Sequence, residues 1–115
     1  HGCGAAFVVA GIGSLDTAAV RLAGAETPLR LTGDLEILTL SGSLAPDGAH
    51  LHLSVADAAG RVIGGHAGAG CRVRTTAEVL VALLPGWHFA REVDPATGYR
   101  ELTVTSSPGM QAAAD

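Results

Sequence analysis

The feature of this sequence that most limits its fold is a glycine-closed turn, Asp57-Ala58-Ala59-Gly60-Arg61, between two short β-rich runs. A three-residue hairpin loop combines a type I turn with a third residue in the left-handed region, which glycine adopts without steric cost. If Gly60 is that residue, Asp57 faces Arg61, and this pair sets the register of the whole antiparallel ladder. The turn therefore predicts an antiparallel hairpin of defined register.

The predicted register brings three histidines together. His52 falls opposite His66, and His50 lies on the same face, two positions along its strand. Neutral imidazoles are ligands for Zn²⁺ and similar divalent ions, so the pattern indicates an open metal site with its fourth position left to water or a carboxylate. The alternative is a solvent-facing histidine cluster without an ion. The other face of the hairpin carries the aliphatic side chains expected of a core surface: Leu51, Leu53, Val55 and Ile63.

The preceding loop, Pro46-Asp47-Gly48, is interpreted in the same three-residue form, which places Leu44 opposite His50. Leu38 and Leu40 would then share the histidine face, and another surface, such as a second subunit, should cover them.

Glu36 should project from the histidine face as well. It lies eight residues before Leu44, roughly 26 Å along an extended strand, too far to complete the site within one chain. Only a neighbouring subunit could bring this carboxylate to the histidines.

Sixteen glycines and few aromatic residues indicate a tightly turned chain of small aliphatic side chains. Thr75–Leu84 is ambiguous, because Thr75 and Glu78 have the spacing of a helix capping box, whereas its valines favour a strand, the interpretation that we prefer. Turn residues Asp94–Gly98 predict a hairpin within Arg91–Val104. The remaining predicted strands are Ala5–Ile12, Asp16–Leu22, Leu35–Leu44, Ala49–Ala56 and Arg61–His66.

The charge balance argues against several classes of function. The net charge is −4, and arginine is the only strongly basic residue. This negative charge disfavours binding of nucleic acid through many phosphate contacts. Arg72 and Arg74 are expected to pair with acids on a solvated strand face. Cys3 and Cys71 form no disulfide framework, and we interpret them as structural thiols in a reduced compartment. Neither a membrane-spanning run nor a secretory signal is visible, which favours a cytoplasmic location.

Other catalytic patterns are weaker. Gly11-Ile12-Gly13 lacks the third glycine of a dinucleotide loop, a phosphate-loop lysine is absent, and no nucleophile elbow surrounds a serine. His88 is expected to be a packing or surface residue, and His1 a remnant of a helix or tag.

The sequence resembles the plants-and-prokaryotes conserved (PPC) domain in three segments: GDLEILTLSGSL, HLHLSVADAAGRVIGGH and CRVRTTAEV. The H-x-H motif, followed by G-G-H and then T-T-A-E-V, carries the resemblance. It implies an α+β fold, mainly an antiparallel sheet with few helices, that forms homotrimers with a metal on His50, His52 and His66. We expect one such domain over residues 1–105, without the family's first strand and helix, and a flexible tail over residues 106–115.

The resemblance and the residue pattern together predict a metal-binding homotrimer with a regulatory or interaction role and a divalent cofactor, Zn²⁺ by preference. Association with DNA, for which the family is labelled, stays open but is disfavoured by the net charge. The alternative is a small zinc-dependent hydrolase or lyase, in which a neighbouring subunit's carboxylate acts as the base. Neither a catalytic residue, a substrate nor a protein partner is assigned.

Overall fold

The computed structural model describes residues 3–106, which form seven β-strands and no helix. The strands are β1 (Ala6–Arg21), β2 (Leu29–Ala45), β3 (Gly48–Ala56), β4 (Val62–Ala67), β5 (Arg72–Leu83), β6 (Trp87–Val93) and β7 (Arg100–Ser106). All of their pairings are antiparallel. The mainly antiparallel sheet is therefore confirmed, whereas the helices implied by an α+β fold are not found in this part of the chain.

The first five strands form one sheet that closes on itself. Their order is β2-β3-β4-β1-β5, and β1 also pairs with β2, so that β1 to β4 make a ring and β5 extends the sheet beyond β1. On one edge of β1, β5 pairs with the part from Ala6 to Thr17, and β4 pairs with Val20 and Arg21 near the end, while β2 pairs along the other edge. The closed ring leaves the histidine hairpin held on both sides.

Alternation along these strands sends one set of side chains into the ring. Leu53 and Val55 of β3 are buried, as the sequence predicts, and Ile63 and Leu40 pack against the same cluster. The buried members of this core are Leu15, Ala18, Val20, Leu35, Ile37, Leu53 and Val55. Residues at the intervening positions, including the histidines, consequently face outward.

The β6–β7 hairpin forms a second, two-stranded sheet that docks against the first. Phe89 is buried, and its backbone N–H donates to the Gly4 carbonyl at 2.9 Å. The backbone N–H of Arg91 donates to the Asp47 carboxylate at 3.1 Å. These contacts hold β6 beside the turn between β2 and β3.

Two of the predicted strands are in fact one. Apart from the end residues Ala5 and Leu22, the segments Ala5–Ile12 and Asp16–Leu22 belong to the continuous strand β1, because Gly13 does not break it. A Cβ added at Gly13 would lie only 2.5 Å from the Thr76 carbonyl oxygen of β5. This glycine permits close packing of two backbones rather than a turn.

The predicted register between β2 and β3 is wrong by one residue. Ala45 pairs with Gly48, so the loop contains two residues, and Ser43, not Leu44, lies opposite His50. A slip of one residue moves side chains to the other face, and Leu40 accordingly packs against the core instead of sharing the histidine face. A bulge between Ile37 and Thr39 then shifts the register again, beside Leu38, which is exposed.

The other strand predictions agree with the structure. Thr75–Leu84 is extended, with all but Leu84 inside β5, and Asp94–Gly98 lies in the connection between β6 and β7. Of the predicted tail, Ser106 ends β7, and residues 107–115 lie outside the described part of the chain. Since residues 3–106 contain no helix, they contain no helical membrane span.

Candidate metal centre

The histidine hairpin has the register predicted from its turn. Gly60 adopts a φ of 82°, and the Asp57 and Arg61 backbones are joined by a 2.9 Å hydrogen bond. The Asp57 carboxylate reinforces the turn by accepting hydrogen bonds from the backbone N–H groups of Ala59 and Arg61. His52 consequently pairs directly with His66.

Three imidazole rings converge on the outer face of this hairpin. The ring centroids lie 5.1 Å apart for His50 and His52, 4.9 Å for His50 and His66, and 5.7 Å for His52 and His66. Each ring offers one nitrogen, and these three nitrogens lie within 4.8 Å of one another. In residues 3–106 no other histidine, cysteine or carboxylate joins the cluster.

The nitrogen positions fit a metal ion. The Nε2 atoms of His50 and His52 are 3.1 Å apart. Two ligands bound at about 2.0–2.1 Å to one tetrahedral Zn²⁺ are separated by about 3.3 Å, so the observed spacing is close to that of a metal site. The Nδ1 of His66 is buried and has no hydrogen-bond partner in the described residues. A buried ring nitrogen without a partner is costly unless something else binds it, and a cation would do so.

The surroundings favour neutral imidazoles. Burial, followed by the nearby Arg91 charge, lowers the pKa of His50 from its ordinary value of 6.5. Burial and then the charge of Arg21 lower the pKa of His66 in the same direction. A neutral imidazole has the lone pair that a metal ion needs, so these two rings are ready to bind near neutral pH.

Two arginines that sequence reasoning did not place at the site flank the histidines. Arg21 pairs with His66 across β1 and β4 and therefore projects from the same face. Arg91 of β6 donates from Nη2 to the Ser43 hydroxyl at 2.7 Å, and Ser43 is the residue opposite His50. No local pattern connects either arginine to the histidines, because both contacts join segments that are distant in sequence.

The remaining candidate residues lie elsewhere. Glu36 pairs with Ala56, six residues along β3 from His50, or roughly 20 Å of extended chain. His88 is exposed on β6 and takes no part in the cluster. His1 lies outside the described residues.

Two cysteines, and two arginines of β5, are the remaining residues singled out by the sequence. Cys3 and Cys71 are both free. A structural thiol is expected to be buried, but Cys71 is exposed. Arg72 pairs with Asp16 at 2.8 Å, and Arg74 lies 3.9 Å from Asp34. The predicted pairing of these arginines with acids is therefore confirmed.

Comparison with known proteins gives curated relatives that are much longer than this chain. It is 51% identical over 105 residues to the bifunctional protein GlmU of Synechococcus sp. (strain JA-2-3B'a(2-13)), covering 91% of the chain but 17% of that protein. The chain thus spans about a sixth of that relative's length.

Solved structures share the fold. A hypothetical protein from Salmonella enterica is 42% identical with a TM-score of 0.87, over 90% of this chain and 75% of its own. The metal-containing protein AF0104 from Archaeoglobus fulgidus is 28% identical with a TM-score of 0.70, over 89% and 76%. A Ralstonia eutropha protein, named as a candidate DNA-binding protein, is 26% identical with a TM-score of 0.72, over 90% and 75%.

A family model covers most of the chain, including the motifs of the histidine hairpin. The model of the Plants and Prokaryotes Conserved (PCC) domain matches residues 1–85, which include β1 to β5 and all three histidines of the cluster. The chain therefore belongs to the Plants and Prokaryotes Conserved domain family.

Proposed function

We propose that this chain is a homotrimeric, metal-binding domain with a regulatory or interaction role, and that His50, His52 and His66 hold a divalent ion, Zn²⁺ by preference. The observation that carries the proposal is the convergence of three ring nitrogens, one from each histidine, within 4.8 Å of one another. The buried Nδ1 of His66, which has no hydrogen-bond partner in the described residues, supports it. The relative from Archaeoglobus fulgidus, which is named as metal-containing, supports it.

The two strands of one hairpin would supply all three ligands. His50 and His52 come from β3, and His66 comes from β4. An ion bound by three neutral imidazoles keeps a coordination position for an exogenous ligand and polarises whatever occupies it. Exposure of His52 leaves the cluster accessible from solvent.

The enzyme alternative has less support within one chain. No carboxylate joins the histidine cluster in residues 3–106. Asp47 lies near His50, but its carboxylate accepts a hydrogen bond from the Arg91 backbone and lies 3.7 Å from Arg100 Nη2. A hydrolase or lyase would need a base from elsewhere, so we prefer binding over catalysis.

DNA association has less support in this chain than metal binding. The Ralstonia eutropha relative is named as a candidate DNA-binding protein, but this chain has a net charge of −4. Arg72 and Arg74 are each paired with an aspartate. A trimer would multiply the negative charge and repel a phosphate backbone.

The homotrimer is supported by an exposed apolar surface around β5, an edge strand that pairs only with β1. Its outward residues include Leu80, and Ile12 of β1 lies beside it across a shallow depression. Unpaired edges with apolar side chains are normally covered. We further propose that residues 1–105 act as one domain and that the protein is cytoplasmic, as its two free cysteines suggest.

Metal analysis tests this function. We expect the purified chain to bind about one Zn²⁺ per protomer, measured by elemental analysis after gel filtration and by competition with a chelating dye. Substituting all three histidines with alanine should abolish binding, and His52→Ala alone should weaken it by about 100-fold or more, since even outer residues of metal sites contribute 10–100-fold. The control is His88→Ala, which removes an exposed histidine outside the cluster. Equal metal content in the triple variant and in the His88→Ala variant would reject the site.

A further inference from the structure

The arginines of this acidic chain fall into two groups, those that lie beside a carboxylate and those that do not. Of the seven arginines, four lie within 4.0 Å of a carboxylate oxygen: Arg61, Arg72, Arg74 and Arg100. In residues 3–106 the other three, Arg21, Arg30 and Arg91, have no such partner. Two of these three flank the histidine cluster.

Arg21 and Arg91 approach the cluster from opposite sides. Arg21 is carried by β1 and lies across the ladder from His66, at the end of the ring where β1 meets β4. Arg91 is carried by β6 and reaches Ser43, the β2 residue that faces His50. The three imidazoles therefore lie between two half-buried arginine residues.

A concavity of about 190 Å³ adjoins His50 on the Arg91 side. It is lined by Asp47, Gly48, Ala49, His50, Arg91 and Arg100. The one carboxylate there, Asp47, is already engaged by the Arg91 backbone N–H and by Arg100. The Arg91 guanidinium donates to Ser43 alone among the described residues, which leaves most of its five donors available.

Charge and shape at this position favour an oxyanion. Guanidinium groups present planar, paired donors that match phosphate and carboxylate oxygens. Arg21 lies opposite His66 in the ladder, and Arg91 binds Ser43, the residue opposite His50, so both arginines are placed beside the rings. A divalent ion on the histidines would add to this positive field.

We propose that the histidine cluster is one half of a binding site for a small oxyanion, a ligand with a phosphoryl or carboxylate group, and that Arg91 and Arg21 form the other half. The anion would occupy the coordination position left by the three histidines and receive hydrogen bonds from Arg91, with Arg21 contributing charge from the other side. The inference rests on the proposed metal site. Arg91 lies beyond residues 1–85, where the family match ends, so that match does not include it.

The test uses the full chain loaded with Co²⁺, whose visible spectrum reports a change of ligand at the metal. Inorganic phosphate and acetate are titrated separately into this protein, the first as the probe for a phosphoryl group and the second for a carboxylate. We expect at least one of them to shift the spectrum with saturation. The tighter of the two identifies the class of ligand.

Variants separate the arginines from the metal ligands. Arg91→Gln and Arg21→Gln should each weaken the preferred anion by about tenfold or more, because a charge-assisted hydrogen bond is lost in the first and a nearby charge in the second. Neither should weaken Co²⁺ binding, since removing a positive neighbour favours a cation. Arg91→Lys, which keeps the charge but not the paired donors, should fall between Arg91→Gln and the unaltered chain. Arg30→Gln is the matched control, because Arg30 also has no carboxylate partner in residues 3–106 and lies on β2 opposite Ala19, whereas Arg21 lies opposite His66.

The outcomes are distinguishable. If Co²⁺ binds but neither anion changes the spectrum up to about 10 mM, which would saturate a millimolar site, the anion inference is overturned and the metal site stands. The same holds if the Arg91→Gln, Arg21→Gln and Arg30→Gln variants bind the anion equally. If the chain takes up no Co²⁺ or Zn²⁺, the proposed function itself fails, and this inference fails with it.

Discussion

The single atom that best distinguishes this site from a surface histidine cluster is the Nδ1 of His66. Surface imidazoles normally exchange hydrogen bonds with water, but this nitrogen is buried and has no partner in residues 3–106. Leaving a buried polar atom unpaired costs about 1–3 kcal/mol. An ion bound at the Nδ1 of His66 would offset this cost, and the Nε2 atoms of His50 and His52, 3.1 Å apart, offer two further ligands.

Protonation should compete with metal binding only in acid. The pKa values of His50 and His66 are both lowered from 6.5, mainly by burial, so both rings remain neutral to a lower pH than a solvated imidazole. We therefore expect Zn²⁺ affinity, measured by chelator competition between pH 5 and 8, to fall mainly below about pH 6.5, the ordinary value from which the pKa values of His50 and His66 are lowered. An affinity that already declines steeply between pH 8 and 7 would contradict this assignment.

The same shift predicts a pH dependence of folding for the metal-free chain. A histidine whose pKa is lowered in the folded state binds its proton more readily in the unfolded state. The free energy of unfolding therefore decreases as the pH falls from 6.5 through the lowered pKa of the folded state. Urea unfolding of the metal-free protein at several pH values measures it. In the triple alanine variant this part of the dependence should be absent.

At the scale of strands, the site depends on how closely β1 approaches β4. Only two residue pairs join these strands, Val20 with Ala67 and Arg21 with His66. Gly65, next to His66, makes the approach feasible, because a Cβ there would lie 2.5 Å from the Arg21 carbonyl oxygen. The glycine thus positions both a proposed ligand and a proposed anion-binding arginine.

Gly65→Ala should consequently disturb stability and metal binding together. The added methyl group cannot fit without separating two backbones, and overpacking of this kind costs about 1–3 kcal/mol. Denaturant unfolding and Zn²⁺ competition measure the two effects. Gly64→Ala is the control on the same strand, since its Cβ would meet its nearest atom, the Leu53 carbonyl oxygen, at 3.1 Å. Equal losses in the two variants would show that close packing at Gly65 is not what positions His66.

For the whole molecule, the exposed surface of β1 and β5 is the main unexplained feature of a single chain. Leu80 is 63% exposed and Ile12 is 56% exposed, although both are large aliphatic residues. Burial of such side chains is worth about 1.5–3 kcal/mol each, so a second copy has a clear reason to cover them.

Leu80→Asp should therefore shift the protein from a trimer toward the 11.5 kDa protomer. Light scattering coupled to gel filtration measures the mass, and circular dichroism checks that the strands persist. Val62→Asp is the matched control, because Val62 is also 56% exposed and lies on β4, away from β5. A trimer that survives the Leu80 substitution, or dissociates equally with the Val62 substitution, would place the interface elsewhere.

The sequence by itself determined the histidine hairpin, since a turn of known geometry at Gly60 sets the register of the residues beside it. The same reasoning was wrong at Pro46 and Asp47, where a loop one residue shorter exchanged the faces of Leu40 and Ser43. Local turn chemistry determines contacts within a hairpin but not contacts between distant segments. The placement of Arg21 and Arg91 beside the histidines was decided only by closure of the ring and docking of β6, because those contacts arise from packing across the whole chain.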